Sequence, residues 1–126
     1  MNVNFTVFID KILSGEKHQT IRKAGKKWDK VKVGDKLTLY TGLRTKECRK
    51  LGEAEVESIL DIEIDIGFWC FAILINDEYL TEDDCRKLAQ ADGFDCIKDF
   101  LEFFDNHYGH NFKGKIIKWK NFRKVE

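Results

Sequence analysis

Between Glu53 and Asp65 the chain alternates with a period of two: Ala54, Val56, Leu60, Ile62 and Ile64 fall on one side, and Glu53, Glu55, Glu57, Asp61, Glu63 and Asp65 on the other. A helix turns about 100° per residue and scatters both sets around its circumference, so the stretch predicts a strand with one buried and one wet face. Lys36 to Thr41 repeats the pattern with Leu37 and Leu39, after a Gly34-Asp35 turn. Phe68 to Ile75 is apolar on both faces and predicts a central strand closed by Asn76-Asp77. A last strand runs from about Phe112 to Trp119, with Lys113 and Lys115 alternating with Phe112, Gly114 and Ile116.

Helical spacing separates these strands. Phe5, Phe8, Ile9, Ile12 and Leu13 recur at one-face intervals and predict a first helix ending at Ser14-Gly15. Thr81 is placed to cap the amide of Asp84, Leu80 to meet Cys85, and Leu88 with Ala89 to continue that stripe until Gly93. Asp95 is placed to cap a further helix carrying Ile97, Phe100, Leu101 and Phe104 before the Tyr108-Gly109 turn. The whole reads as α+β: a small mixed β-barrel flanked by about three helices. At 126 residues it fits a single domain, 1–126, large enough to bury about two thirds of the surface its unfolded form exposes.

Hydrophobic residues at 43 % beside charged residues at 35 %, with no proline and no low-complexity tract, exclude a disordered chain; only the ends and the basic loop around Lys23 to Lys32 read as loose. The longest apolar run, Ile66 to Ile75, is far below the roughly 18 residues a bilayer span needs, and the opening residues lack a signal pattern, so a cytoplasmic protein without membrane contact is expected. Cys48, Cys70, Cys85 and Cys96 form no Cys-x-x-Cys pair and read as buried thiols, and His107-x-x-His110 reads as a turn. Neither a metal site nor a cofactor is expected.

Charge is segregated although it sums to zero: residues 1–50 carry 13 Lys/Arg against 5 Asp/Glu, residues 51–109 carry 3 against 16, and residues 110–126 carry 6 against 1. Two arrangements satisfy this. The basic ends can meet as one positive face suited to a phosphate backbone, or opposite blocks can pair with each other. Acidic first turns of the two later helices already account for part of the negative block.

Gly15 to Arg22, Gly-Glu-Lys-His-Gln-Thr-Ile-Arg, concentrates chemistry. If Ile21 points into the core of an extended segment, Thr20 and Arg22 project together on the other side, and Lys17 folds back onto the same spot. An amine, a hydroxyl and a guanidinium then offer a base, a nucleophile and an anion-gripping fork; a solvated Lys-rich connection is the plain alternative. The Gly-x-Lys-x-x-Thr-x-Arg pattern, followed by Val33-Gly34-Asp35 and the Lys36–Tyr40 strand, resembles the ASCH domain, a family similar to the RNA-binding PUA domain. The resemblance covers most of the chain, implies the PUA-like barrel, and suggests a prokaryotic or phage source. It also implies a ligand cleft beside the motif, bordered by Tyr40, Thr41, Gly42 and Arg44, a stretch that reads equally as a hairpin turn.

The expected function is therefore binding of RNA or a modified nucleoside or nucleotide, with Arg22, Tyr40, Thr41, Gly42, Arg44 and Trp119 as ligand contacts. Trp119 and Phe122 interleave with cations and suit either a stacking platform or a core plug. Some ASCH proteins are similar to small amidohydrolases that deacetylate N4-acetylcytidine with a Lys, a Thr and a carboxylate. The matching positions are Lys17, Thr20 and Asp92, an aspartate where the family enzyme carries glutamate.

Overall fold

The computed structural model describes residues 1–125. In chain order its elements are β1 (Asn2–Phe5), α1 (Ile9–Ser14), β2 (Gln19–Lys23), α2 (Lys26–Asp29), β3 (Lys36–Thr41), β4 (Arg49–Ile66), β5 (Phe71–Ile75), β6 (Glu78–Tyr79), α3 (Glu82–Ala91), α4 (Ile97–Tyr108) and β7 (Asn111–Lys124). The result is a mixed α+β fold with a seven-stranded sheet and four helices. No helix among the described residues is long and apolar enough to cross a membrane.

The 18-residue strand β4 organises the sheet. One edge pairs antiparallel with β3 near its start and with β5 near its end, while the other pairs with β7 along most of its length. Beyond these, β1 adds parallel to β3, β2 antiparallel to β7, and β6 to β5. The predicted barrel is not closed by strand pairing: β1, β2 and the short β6 each pair on one side only, and among the described residues no ladder joins β1 to β2. A side chain spans the gap instead, with Arg22 Nη2 of β2 donating to Asn4 O of β1 at 2.8 Å.

The alternation in β4 hides a switch of face. Register shifts against β7 fall between Glu53 and Glu55 and between Val56 and Ser58. Ala54 and Val56 join a core with Val3, Phe5, Ile12, Leu37, Leu39, Ile117 and Trp119, whereas Ile62 and Ile64 join a second with Ile21, Ile73, Leu88, Phe100, Phe104, Phe112 and Ile116. Neighbouring residues of a strand point to opposite faces, so Ile116 and Ile117 mark two cores on opposite sides of the sheet. A bulge adds one residue to β4 and carries the apolar set from one core to the other, which a pure period of two does not announce. The expected single buried face is corrected accordingly.

Three further expectations need correction. The first helix does not begin at Phe5: Val3 and Phe5 are buried strand residues, Phe8 takes a left-handed conformation (φ 61°), and α1 spans six residues. Nor is Phe68 to Ile75 a continuous central strand. Gly67 N donates to Cys70 O to close a turn, and Phe68 and Trp69 stand 89 % and 91 % exposed at its tip. Of the four thiols only Cys85 is buried. The helices of the acidic middle follow expectation more closely: Thr81 Oγ1 accepts from Asp84 N at 3.1 Å, and Gly93 follows α3, although Cys96 rather than Asp95 precedes α4 as its N-cap.

The charge blocks meet in part by pairing. Cross-strand neighbours in the β4–β7 ladder include Glu63 with Lys113, Asp61 with Lys115 and Glu55 with Lys120. Lys115 Nζ lies 3.3 Å from the Asp61 carboxylate and Lys113 Nζ 3.8 Å from that of Glu63.

Candidate functional site

Three elements bring the motif's side chains together. Gly15, with φ 86° and its N–H donating to Ile12 O, ends α1 in a conformation that glycine adopts without steric cost. Lys17 N then donates to Lys11 O, folding the chain back before β2 begins. Within β2, Ile21 packs into the second core, so Thr20 and Arg22 share the other face, as the spacing predicts. The fourth group arrives from the end of α3, where Asp92 N donates to Leu88 O. Gly93 follows at φ +110°, and a Cβ there would lie 2.7 Å from the Phe8 ring, so the bend that delivers Asp92 is closed to larger residues.

Lys17, Thr20 and Asp92 are each about 95 % buried, at 5 %, 4 % and 5 % exposure. Lys17 Nζ donates to the Asp92 backbone carbonyl at 2.6 Å and faces Asp92 Oδ1 at 3.4 Å. Arg22 Nε donates to Thr20 Oγ1 at 3.0 Å. All four side chains line one cavity of about 240 Å³, walled by Phe5, Phe8, Phe94, Phe103, His107 and Tyr108.

Burial sets the electrostatics. Desolvation lowers Lys17 from the usual lysine range, against the opposing pull of Asp92, with the Arg22 and Lys11 charges adding to the lowering. The same desolvation raises the Asp92 carboxyl, opposed by Lys17, by the Gln19 side chain and by Arg22. Each member of the pair is thus driven toward its neutral form, which lets an amine at this position accept a proton. Buried Gln19 sits beside the Asp92 carboxylate, yet its Nε2 lacks a hydrogen-bond partner at normal geometry, leaving a buried donor unspent next to the pair. Burial also lowers the Arg22 guanidinium, with Tyr108 and Asp92 opposing the shift.

The other sequence-derived contacts lie elsewhere. Tyr40, Thr41, Gly42 and Arg44 do not line the cavity, because β1 stands between β3 and the motif. Asn4 pairs with Tyr40 across the ladder, Thr41 Oγ1 donates to Phe5 O, and the Asn4 side chain accepts from Leu43 N. Trp119 is 2 % exposed and meets Phe5 edge to face at 5.9 Å, so it plugs the first core and offers no face for stacking.

Sequence reasoning missed the aromatic wall. Phe103, Phe104, His107 and Tyr108 occupy α4 at i, i+1, i+4 and i+5, so one helix serves both the second core and the cavity. The extra aromatic stripe beside the expected Ile97–Phe100–Leu101–Phe104 face was the available signal. His107 Nδ1 hydrogen-bonds Phe103 O at 2.8 Å and its ring stacks on Phe103 at 4.1 Å.

Comparison with protein-family models, with curated proteins and with solved structures returns no match to this chain.

Proposed function

We propose that the chain is an ASCH-type domain of PUA-like architecture whose cavity holds one modified nucleoside and hydrolyses an N4-acyl amide of the acetylcytidine class. The observation that carries this reading is the contact of Lys17 with Asp92 beside Thr20. RNA binding alone does not call for a lysine and a carboxylate removed from water together, since burying both costs several kcal/mol per ion. Catalysis does, because it needs an amine that gives up its proton near neutral pH.

In the proposed reaction Lys17 takes the Thr20 hydroxyl proton, and Thr20 Oγ1 attacks the acetyl carbonyl. The Arg22 Nε–H directed at Thr20 Oγ1 eases loss of the hydroxyl proton, and as the C–O bond forms the negative charge passes to the acetyl carbonyl oxygen, where the Arg22 guanidinium stabilises it. The C–N bond breaks, the cytosine amine leaves with the proton carried by Lys17, and water then cleaves the threonyl ester to release acetate. Asp92 holds Lys17 in place and moderates its proton affinity, a role that tolerates the shorter aspartate because the backbone carbonyl of Asp92 supplies the closer contact. The aromatic wall suits a planar base, and the cavity's volume suits one base and not a strand of them.

Acid-quenched protein sampled during exposure to N4-acetylcytidine is expected to carry an acetyl ester that peptide mass spectrometry maps to Thr20. Cytidine release with no acyl protein at any time, undiminished in Thr20→Val, would replace Thr20 with a directly attacking water. Absence of cytidine release contradicts the hydrolase reading altogether.

A further inference from the structure

Many cations of the chain lack a carboxylate partner among the described residues, but three of them gather at one place, the β1 edge next to the cavity. Arg22, Lys27 and Arg44 have no carboxylate within 4.0 Å among the described residues. Their positions are fixed by the free edge of β1. Lys27 Nζ donates to Asn2 O, and Arg22 Nη2 donates to Asn4 O. These are alternate carbonyls of one strand, about 7 Å apart at strand rise. Both cations lie over the ring of Trp28, Lys27 Nζ at 5.2 Å and the Arg22 guanidinium carbon at 5.8 Å. Arg44 is brought to the same edge by Leu43, whose N–H donates to the Asn4 side chain, and its left-handed backbone (φ 69°) turns the chain there.

Gathering like charges costs free energy, more so where water is partly excluded. The cost is visible at Lys27, which burial first, then the Arg22 and Arg44 charges, hold below the usual lysine range. Strand pairing does not need it, because β1 is already paired through β3. An anion bound among the three offsets it, and Arg22 keeps Nη1 free while its Nε and Nη2 serve Thr20 and Asn4.

We propose that Arg22, Lys27 and Arg44 form a phosphate subsite continuous with the cavity, so that its ligand is a nucleotide and not a free nucleoside. This rests on the nucleoside reading of the cavity, and Arg22, which belongs to both, joins the two. The phosphate is either the terminal group of a mononucleotide or a diester within an RNA strand, with only the modified base entering the cavity.

Calorimetric titration separates these cases without any bond being broken, so it reads out whether or not deacylation occurs. The ligands are cytidine, its 5′- and 3′-monophosphates, and a cytidine-centred trinucleotide. One of the monophosphates is expected to bind at least about tenfold more tightly than cytidine, the equivalent of about 1.4 kcal/mol. That advantage shrinks severalfold in Arg44→Gln and again in Lys27→Gln, judged as the ratio of nucleotide to nucleoside affinity within each variant. Added salt weakens the nucleotide and leaves cytidine nearly unaffected. A trinucleotide as tight as the better monophosphate identifies a strand as the source, and a weaker one identifies the free nucleotide. Equal affinity for cytidine and both monophosphates, or absence of binding by all of them, overturns the subsite. Because Lys27 also ties down β1, Arg44→Gln at the exposed turn is the decisive variant: an unchanged ratio there also overturns it.

Discussion

At the scale of single residues the buried Lys17–Asp92 pair carries the account, and its ionisation makes the fold sensitive to pH. The Asp92 carboxyl is raised by burial above its usual 3.8, so its contribution favours the fold below that value and is lost as pH climbs through the raised one. Lys17 is lowered from 10.5, so its contribution favours the fold above 10.5 and is lost as pH falls through the lowered one. Between those limits the pair costs stability, and the proposed catalysis accounts for its presence. Lys17→Met/Asp92→Leu is accordingly expected to match or exceed the wild type by about 1–4 kcal/mol in urea unfolding near neutral pH, the gain shrinking toward both extremes. Lys17→Met alone, which strands a buried carboxylate, is expected to cost about 3–5 kcal/mol at pH 7 and less in acid. Much of this site was legible in the chain. Ile21 in the core forces Thr20 and Arg22 onto one face, and a glycine stop after α1 returns Lys17 to them, because strand alternation and helix termination are local rules. Gln19 was not legible, since nothing in a strand pattern tells which polar residue will be buried beside a carboxylate that arrives 73 positions later.

Among the elements, the end of α3 decides whether the site assembles. Gly93→Ala places a Cβ against the Phe8 ring at φ +110°, where an L-residue is strained. We expect it to destabilise the protein by about 1–3 kcal/mol and to reduce turnover disproportionately, because Asp92 and the Gly93 carbonyl that accepts from Lys11 Nζ shift with it. Thr81→Ala at the opposite end removes a cap and is expected to cost about 1 kcal/mol in the same unfolding measurement while leaving kcat nearly untouched. The elements least legible in the sequence are those settled by distant partners. Phe5 fits a helical interval with Phe8 and Ile9, but β3 offers a parallel edge to residues 2–5, and burial of Val3 and Phe5 there wins over the local pattern. That one substitution of strand for helix explains why Tyr40, Thr41 and Gly42 stand away from the cavity, because β1 occupies the space in which they were expected to meet Lys17. The bulge in β4 escaped for a related reason: its even positions are apolar on both sides of the bulge, so the pattern looks unbroken while the face reverses.

For the molecule as a whole, two cores share one sheet, and the cavity opens where the free edges of β1 and β2 are bridged by Arg22 instead of by a ladder. Trp119 anchors the first core, so Trp119→Ala is expected to lose about 3–5 kcal/mol of stability by denaturant unfolding, against near-neutrality had it been a surface platform. Segregated charge in the sequence reads as opposed faces only until β4 and β7 are seen to be neighbours. Their pairing, invisible without the topology, sets part of the acidic block against the basic tail, while at the β1 edge Arg22, Lys27 and Arg44 gather without a carboxylate partner among the described residues. The most direct measurement of the central claim is the rate of cytidine and acetate formation from N4-acetylcytidine by the intact protein, compared with Lys17→Arg and Thr20→Ala. The wild type is expected to turn over, and each variant to lose at least about 10²-fold, Lys17→Arg because a guanidinium cannot release its proton to act as base. Turnover preserved in both variants, or absent from the wild type, contradicts the account.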